Sequence, residues 1–194
     1  MKKKLYGIIA IVAIIVLAFT ACGDGNGNSA PYSSIGSTGP GGGKVFYDKG
    51  NDSGGWRYLE AVIIEDQFKW KEGDFPENLP NTGKAIGTGS YNTALLIDEL
   101  GEDEYAAYAC ASYPGGGKDD WFLPSKDELN EIHKQRELFN IDGYGWFWSS
   151  SFASFADGET YAWVQLFDND NKDNGDAIYY KAYSYHYVFA VRAF

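Results

Sequence analysis

Strand-like stretches stand at both ends of the globular part of this chain, and helical periodicity is confined between them. Lys44-Val-Phe-Tyr47 and Trp56–Ile64 are runs of aromatic and branched residues separated by Asp48-Lys-Gly-Asn-Asp-Ser-Gly-Gly55, the composition of a hairpin with a long loop. Near the other end, Trp146–Ser151 and Tyr161–Phe167 read as strands, and one alternating run extends from about Tyr179 to Phe194. Single strands do not alternate with single helices, so the order is α+β and a doubly wound parallel sheet is excluded.

Asn92–Leu100 places Leu95, Leu96 and Leu100 on one helical face, and Gly101 suits the stop. A short helix over Glu102–Ser112 ends at Tyr113-Pro-Gly-Gly-Gly117. Ser125-Lys-Asp-Glu128 is a capping box, in which serine accepts from first-turn amides and glutamate reaches back. The helix that it opens spans about Lys126 to Phe139, with Leu129, Ile132 and then Leu138 or Phe139 as its buried stripe. His133 stands among Glu, Lys and Gln and is expected to face solvent. Residues 65–90 mix Gly, Pro, Asn and Trp without a period and are expected to form a surface loop region.

The first residues belong to export. Lys2, Lys3 and Lys4 precede the uncharged apolar run Leu5–Phe19, which is shorter than the roughly 20 residues that span a bilayer. Small residues follow, so residues 1–21 read as a secretory signal peptide. Phe19-Thr-Ala-Cys22 resembles the lipobox of bacterial lipoproteins, which implies cleavage before Cys22 and lipidation of its thiol. Several acyl chains anchor a protein stably where one does not. Residues 22–42 are then a lipidated cysteine and a Gly/Ser linker with a reach of roughly 25 Å, and residues 43–194 are the domain. The expected location is the cell envelope, at the outer membrane or cell surface. Cys110 is the only other cysteine, so no intrachain disulfide forms once Cys22 is lipidated, and its spacing from Ala106 and Ala109 marks it as core.

Charge and motifs narrow the function classes. The net charge of −11 becomes −14 when the three N-terminal lysines leave with the signal peptide. So acidic a body opposes nucleic-acid partners and bare anionic lipid. The chain contains no HExxH, CxxC pair, GxSxG or complete phosphate loop, and the expectation is a non-enzyme without cofactor. Asp168-Asn-Asp-Asn-Lys-Asp-Asn-Gly-Asp176 is rich in oxygen ligands, but a calcium loop begun at Asp168 meets Lys172 at its fifth position and Asp173 where glycine is required. It reads as a solvated turn, and no metal is expected.

Of the 6 Trp, 15 Tyr and 12 Phe, sixteen fall in residues 144–194. Trp148 and Trp163 lie on expected strands and read as buried. Tyr179, Tyr180, Tyr183 and Tyr185 lie among Ser184 and His186, a composition closer to a paratope than to a core strand, because tyrosine offers large amphipathic contact area at low entropic cost. Alternation puts Tyr183, Tyr185 and Tyr187 on one strand face.

Asp119-Asp-Trp-Phe-Leu-Pro-Ser-Lys-Asp-Glu-Leu129, then Trp148-Ser-Ser-Ser151, Ala162-Trp163 and Val191-Arg192, with Gly41-Gly-Gly-Lys-Val-Phe-Tyr47 ahead of them, resemble in order the Legionella collagen-like C-terminal domain family. The resemblance covers nearly all of residues 41–194. It implies a C-type-lectin-like fold of the branch shared with formylglycine-generating enzymes: a twisted antiparallel sheet, two main helices and long loops. Those enzymes hold their metal with paired cysteines, so with Cys110 alone their chemistry does not carry over. Phe189 stands where the family often has arginine. The chain is also similar to variable lipoproteins of treponemes, diversified by retroelements at adenine-rich codons. That likeness implies a ligand surface of Val164, Leu166, Ile178, Tyr179, Tyr180, Tyr183, Ser184, Tyr185 and His186. The expected function is binding of a protein or glycan by a surface lipoprotein; the alternatives are an envelope-assembly lipoprotein and a glycan-active hydrolase. Replacement of Cys22 by serine is expected to move the chain from the detergent phase to the aqueous phase in Triton X-114 partition, with loss of palmitate incorporation.

Overall fold

The computed structural model describes residues 34–71, 81–141, 144–154, 160–168 and 177–194. The signal peptide, Cys22, the linker up to residue 33 and nearly all of the 168–176 stretch lie outside the described residues. Among the described residues no helix is long and apolar enough to cross a membrane.

Six strands form one sheet: β1 (Lys44–Asp48), β2 (Tyr58–Lys69), β3 (Tyr144–Ser154), β4 (Thr160–Asp168), β5 (Ala177–Lys181) and β6 (Tyr185–Ala193). Their order across it is β1-β2-β6-β3-β4-β5. Three helices lie between β2 and β3 in the chain: α1 (Gly89–Leu100), α2 (Ala106–Ala111) and α3 (Lys126–Lys134). The architecture is α+β. The sheet is mixed rather than wholly antiparallel, because the C-terminal strand inserts between two others: β6 is antiparallel to β2 and parallel to β3, which it meets at Phe147 and Tyr187.

Central position explains the composition of β6. Val188, Phe189, Ala190 and Val191 are all fully buried, since both faces of the strand are covered. On one face Trp148, Val164, Val188 and Ala190 pack with Leu96 of α1 and with Ala106, Ala107 and Cys110 of α2. On the other, Phe147, Phe167 and Phe189 pack with Leu129 and Ile132 of α3 and with Phe46 and Leu59. Phe189 fills the centre of this second core, stacked 4.6 Å from Phe147 at 25°. The Cys110 thiol, 3.4 Å from the Phe189 carbonyl, is fully buried, and burial pushes its pKa well up.

Several boundaries differ from expectation for identifiable reasons. Helix α3 stops at Lys134, and a 3-10 turn, Arg136–Phe139, carries the chain to Asn140 in the left-handed region at φ 46°. His133 is 6% exposed and sits edge-on to Phe167 at 5.2 Å, not in solvent; it is one helical turn from Leu129 and shares its face. The expected loop from residue 65 is strand as far as Lys69, and Trp70 behind it is buried with its indole donating to the Ser149 carbonyl at 2.7 Å. The last alternating run is broken by a turn at Ala182–Ser184, whose Ala182 carbonyl accepts the Trp70 and Lys71 amides at 2.9 and 3.2 Å. Residues 34–42, expected in the linker, belong to the domain: the Gly36 amide donates to the Val45 carbonyl and the Val45 amide to that of Ser37.

Two fully buried carboxylates organise the loops. Glu60 accepts from the Gly41 and Gly43 amides at 2.8 and 2.9 Å and pairs with Arg192 at 3.2 Å. A Cβ on Gly41 would lie 2.7 Å from the Trp121 ring and 2.9 Å from Glu60, so glycine is needed for this approach. Glu128 closes the expected capping box and, through the same carboxylate, takes the Ser125 and Gly87 amides, each at 2.7 Å, and that of Gly89. Burial raises the Glu128 pKa while these amides pull it down. The serines that carried the family resemblance complete the network. In β3 the pairing with β4 is interrupted between Trp148 and Phe152. There the Ser150 amide donates to the Pro124 carbonyl, and the Ser151 hydroxyl joins the Lys126 amide to the Gly83 carbonyl. Asn92 binds both backbone groups of Gly83 and the Ser150 hydroxyl.

Replacing Glu128 by glutamine turns an amide donor toward backbone donors. Chemical denaturation is expected to show a loss of about 1–3 kcal/mol, the cost of leaving buried donors unpaired.

Candidate functional site

β5 and β6 are adjacent in sequence but sit apart in the sheet order, with β3 and β4 between them, and the Ala182–Ser184 turn joins them. The turn is held internally by the Ser184 amide donating to the Lys181 carbonyl at 2.9 Å, and externally by the bonds to Trp70 and Lys71. A tethered turn presents its side chains at fixed positions. Tyr183 is 54% exposed and Tyr185, at the start of β6, is 58% exposed. The Lys181 ammonium lies 5.6 Å from the Tyr183 ring centroid and that of Lys69 lies 5.2 Å from Tyr185, so each ring is braced by a cation. Ile178, on the outermost strand, is 37% exposed.

Behind these lies a row of rings running inward. Trp146 stands 5.4 Å from Tyr180, Tyr180 is edge-on to His186 at 4.9 Å, and His186 is edge-on to Trp148 at 4.6 Å. Trp148, fully buried, donates its indole N–H to the Phe68 carbonyl at 2.9 Å. The His186 Nε2 is buried without a hydrogen-bond partner, and desolvation lowers the imidazole pKa to about 4. The ring therefore sits neutral in the stack at physiological pH.

The nine expected contact residues divide accordingly. Ile178, Tyr183 and Tyr185 are exposed; Leu166, Tyr180, Ser184 and His186 are half-buried beside them. Val164 is 0% exposed and is corrected from a contact residue to a core residue. It opposes Trp148 across the β3–β4 ladder, facing the α1–α2 layer. Tyr179 pairs with Trp163 through the backbone, and its side chain lies outside the described residues. Tyr183 belongs to the turn and Tyr187 packs 5.5 Å from Phe147, so the three tyrosines expected on one strand face are separated by the turn. Trp163 is half-buried, flanked by the Lys84 and Lys126 ammoniums, each 5.0 Å from its ring.

The sequence reading missed the acidic wall beside Tyr185. Asp66, Gln67, Phe68, Asp103 and Glu104 line a cleft of about 520 Å³ with it. Residues 66–68 fall in the stretch expected as loop; they belong to β2, whose pairing with β6 shifts register between Ile64 and Phe68 and resumes at Phe68 and Lys69. Exposed aromatic faces beside carboxylate acceptors suit stacking and hydrogen bonding to a polar ligand. Among the described residues no three His, Cys, Asp or Glu side chains converge in a way that holds a metal ion. Comparison with protein-family models and with curated proteins gave no match to the chain.

Burial predicts opposite outcomes for neighbouring tyrosines. The double change Tyr183→Ala, Tyr185→Ala is expected to leave thermal unfolding within about 0.5 kcal/mol of wild type. Tyr180→Ala, which removes the ring between Trp146 and His186, is expected to cost about 1–3 kcal/mol in the same measurement. His186 gives a pH signature. The unfolded imidazole takes a proton below pH of about 6.5 while the folded one stays neutral to about 4, so stability falls as pH drops through that window. In denaturation curves from pH 7 to 4, His186→Phe is expected to flatten the slope, leaving the smaller part owed to His133, whose pKa burial also lowers.

Proposed function

We propose that this chain is a surface-displayed bacterial lipoprotein, moored through Cys22, whose C-type-lectin-like domain binds a protein or glycan ligand through its aromatic C-terminal surface and catalyses no reaction. The observation that carries the reading is the pair of tyrosines, Tyr183 on a turn that the core pins in place and Tyr185 at the start of β6, each more than half exposed. A tyrosine whose only role is to fill a core does not stand in solvent beside a second one. Ile178, Leu166, Tyr180, Ser184 and His186 extend the surface toward the free edge of β5. The split between support and display favours binding as well: the residues of the family-like motifs, Glu128, Ser150 and Ser151, are buried scaffold, while the compositionally distinct segment carries two of the exposed rings, the other being Tyr91 on α1 among the described residues.

This division also fits diversification. Tyr183 and Tyr185 are each more than half exposed, so a retroelement can vary them at little cost to folding. Val164 falls outside that tolerance, because it is core. A reverse-transcriptase gene and a near-copy of the 3′ coding end beside this gene are the expected genomic context.

The functional test uses the full chain in detergent, fluorescently labelled and applied to arrays of glycans and extracellular proteins. The double variant Tyr183→Ala, Tyr185→Ala is expected to lose at least about tenfold in affinity for any ligand bound by the wild type, or about 1.4 kcal/mol, with its melt unchanged. Wild-type affinity in the double variant sinks the assignment of the surface.

A further inference from the structure

The N-terminal half of the sheet carries an opening that the tyrosine surface does not use. β1 pairs with β2 only as far as Lys44 opposite Ala61. There the chain turns away, because the Gly41 and Gly43 amides are drawn to the buried Glu60. β2 itself continues to Lys69, and on that side the next bridge is between Lys69 and Tyr105. Among the described residues the outer edge from Val62 to Phe68 therefore has no strand partner. Val62, Ile63 and Ile64 remain in regular register with Ala190, Phe189 and Val188. Tyr58 and Phe194 exchange both backbone bonds, so alternation turns the groups of Val62 and Ile64 toward β6 and those of Ile63 outward.

Beside this edge opens a cleft of about 540 Å³. That falls within the range of sites built for ligands. Its apolar lining comes from Ile63, Phe139, Ile141, Phe147 and Tyr187, a wall that receives one large side chain. Its two ends differ in charge. Lys44 stands at the end where β1 departs, and Glu65 at the other, followed by Asp66 on the strand. Charged residues at a free edge also guard it against indiscriminate pairing. Here they are of opposite sign at opposite ends, which blocks most strands and selects one polarity.

We propose that this edge is a strand-addition site, taking one extended peptide segment of a partner protein in line with β1 and antiparallel to β2. An aromatic side chain of the segment fills the cleft, a basic residue on its N-terminal side meets Glu65 and Asp66, and an acidic residue on its C-terminal side meets Lys44. Main-chain bonds to Ile63 supply affinity, and the cleft and the two charges supply specificity. The cleft shares no lining residue with the tyrosine surface, although Asp66 lies between the two.

The probe is a blocked peptide, Lys-Lys-Thr-Phe-Thr-Glu, added to the full chain in detergent. Titration calorimetry is expected to show at least about tenfold tighter binding than for the charge-exchanged peptide Glu-Glu-Thr-Phe-Thr-Lys, and hydrogen exchange is expected to slow at Ile63. Glu65→Lys, at an exposed position that does not endanger folding, is expected to weaken the first peptide and strengthen the second. Tyr183→Ala, Tyr185→Ala is expected to bind the first peptide as wild type does, which separates failure here from failure of the tyrosine surface. Equal binding of the two peptides overturns the proposal. So does unchanged exchange at Ile63, or protection of its amide before any peptide is added, since the edge is then already occupied by the chain's own segment or a second copy.

Discussion

Backbone amides outside helices and strands still need partners when buried, and in this protein two carboxylates supply them. Glu60 and Glu128 are fully buried, and each gathers amides from glycine-rich stretches that have no ladder of their own. A buried carboxylate is tolerated only where hydrogen bonds replace its lost hydration. Glu128 meets the condition with the amides of Ser125, Gly87 and Gly89, and Glu60 meets it with Gly41, Gly43 and Arg192. The arrangement is mutual: the loops exist in these conformations because the carboxylates are there, and the carboxylates stay buried because the loops surround them. Glycine at 41 and at 89 follows from that closeness, since a Cβ at Gly89 would lie 2.2 Å from Glu128.

The consequences reach both ends of the sheet. By drawing Gly41 and Gly43 inward, Glu60 ends β1 early, so that among the described residues β2 beyond Ala61 has no strand on its outer side. By fixing the entry to α3, Glu128 sets the face that Leu129, Ile132 and His133 press onto Phe147, Phe167 and Phe189. β6 lies between these two layers, buried on both sides for most of its length. Only its first residue and the preceding turn escape, and there the exposed tyrosines stand. Display at the turn is thus what remains once the central strand has been claimed by two cores.

Much of the scaffold was legible from local pattern. The capping box at Ser125–Glu128, the α+β order, the core role of Cys110 and the positions of most strands follow from periodicity, caps and turn residues, which act over a few positions. What misled were segments whose local composition conflicts with their surroundings. Asp66, Gln67 and Phe68 look like loop, yet pairing with β6 holds Phe68 in strand. His133 lies among charged residues, yet packing of the helix turns it inward. Val164 was grouped with the contact residues by its place next to Gln165, although β4 is an interior strand whose alternate residues face the helices.

The sequence by itself determined most of the stretches that form helix or strand, where the α3 helix begins, and that the aromatic residues crowd into the last quarter of the chain, because these depend on neighbours a few residues apart. It could not determine which of those rings face water. That was decided by β6 inserting between β2 and β3, which buries Phe189 and Val188, half-covers Tyr180 and His186, and leaves Tyr183 and Tyr185 outside. Exposure is a property of the assembled layers, and partners more than a hundred residues away in the chain, such as Glu60 and Arg192, fix where those layers close.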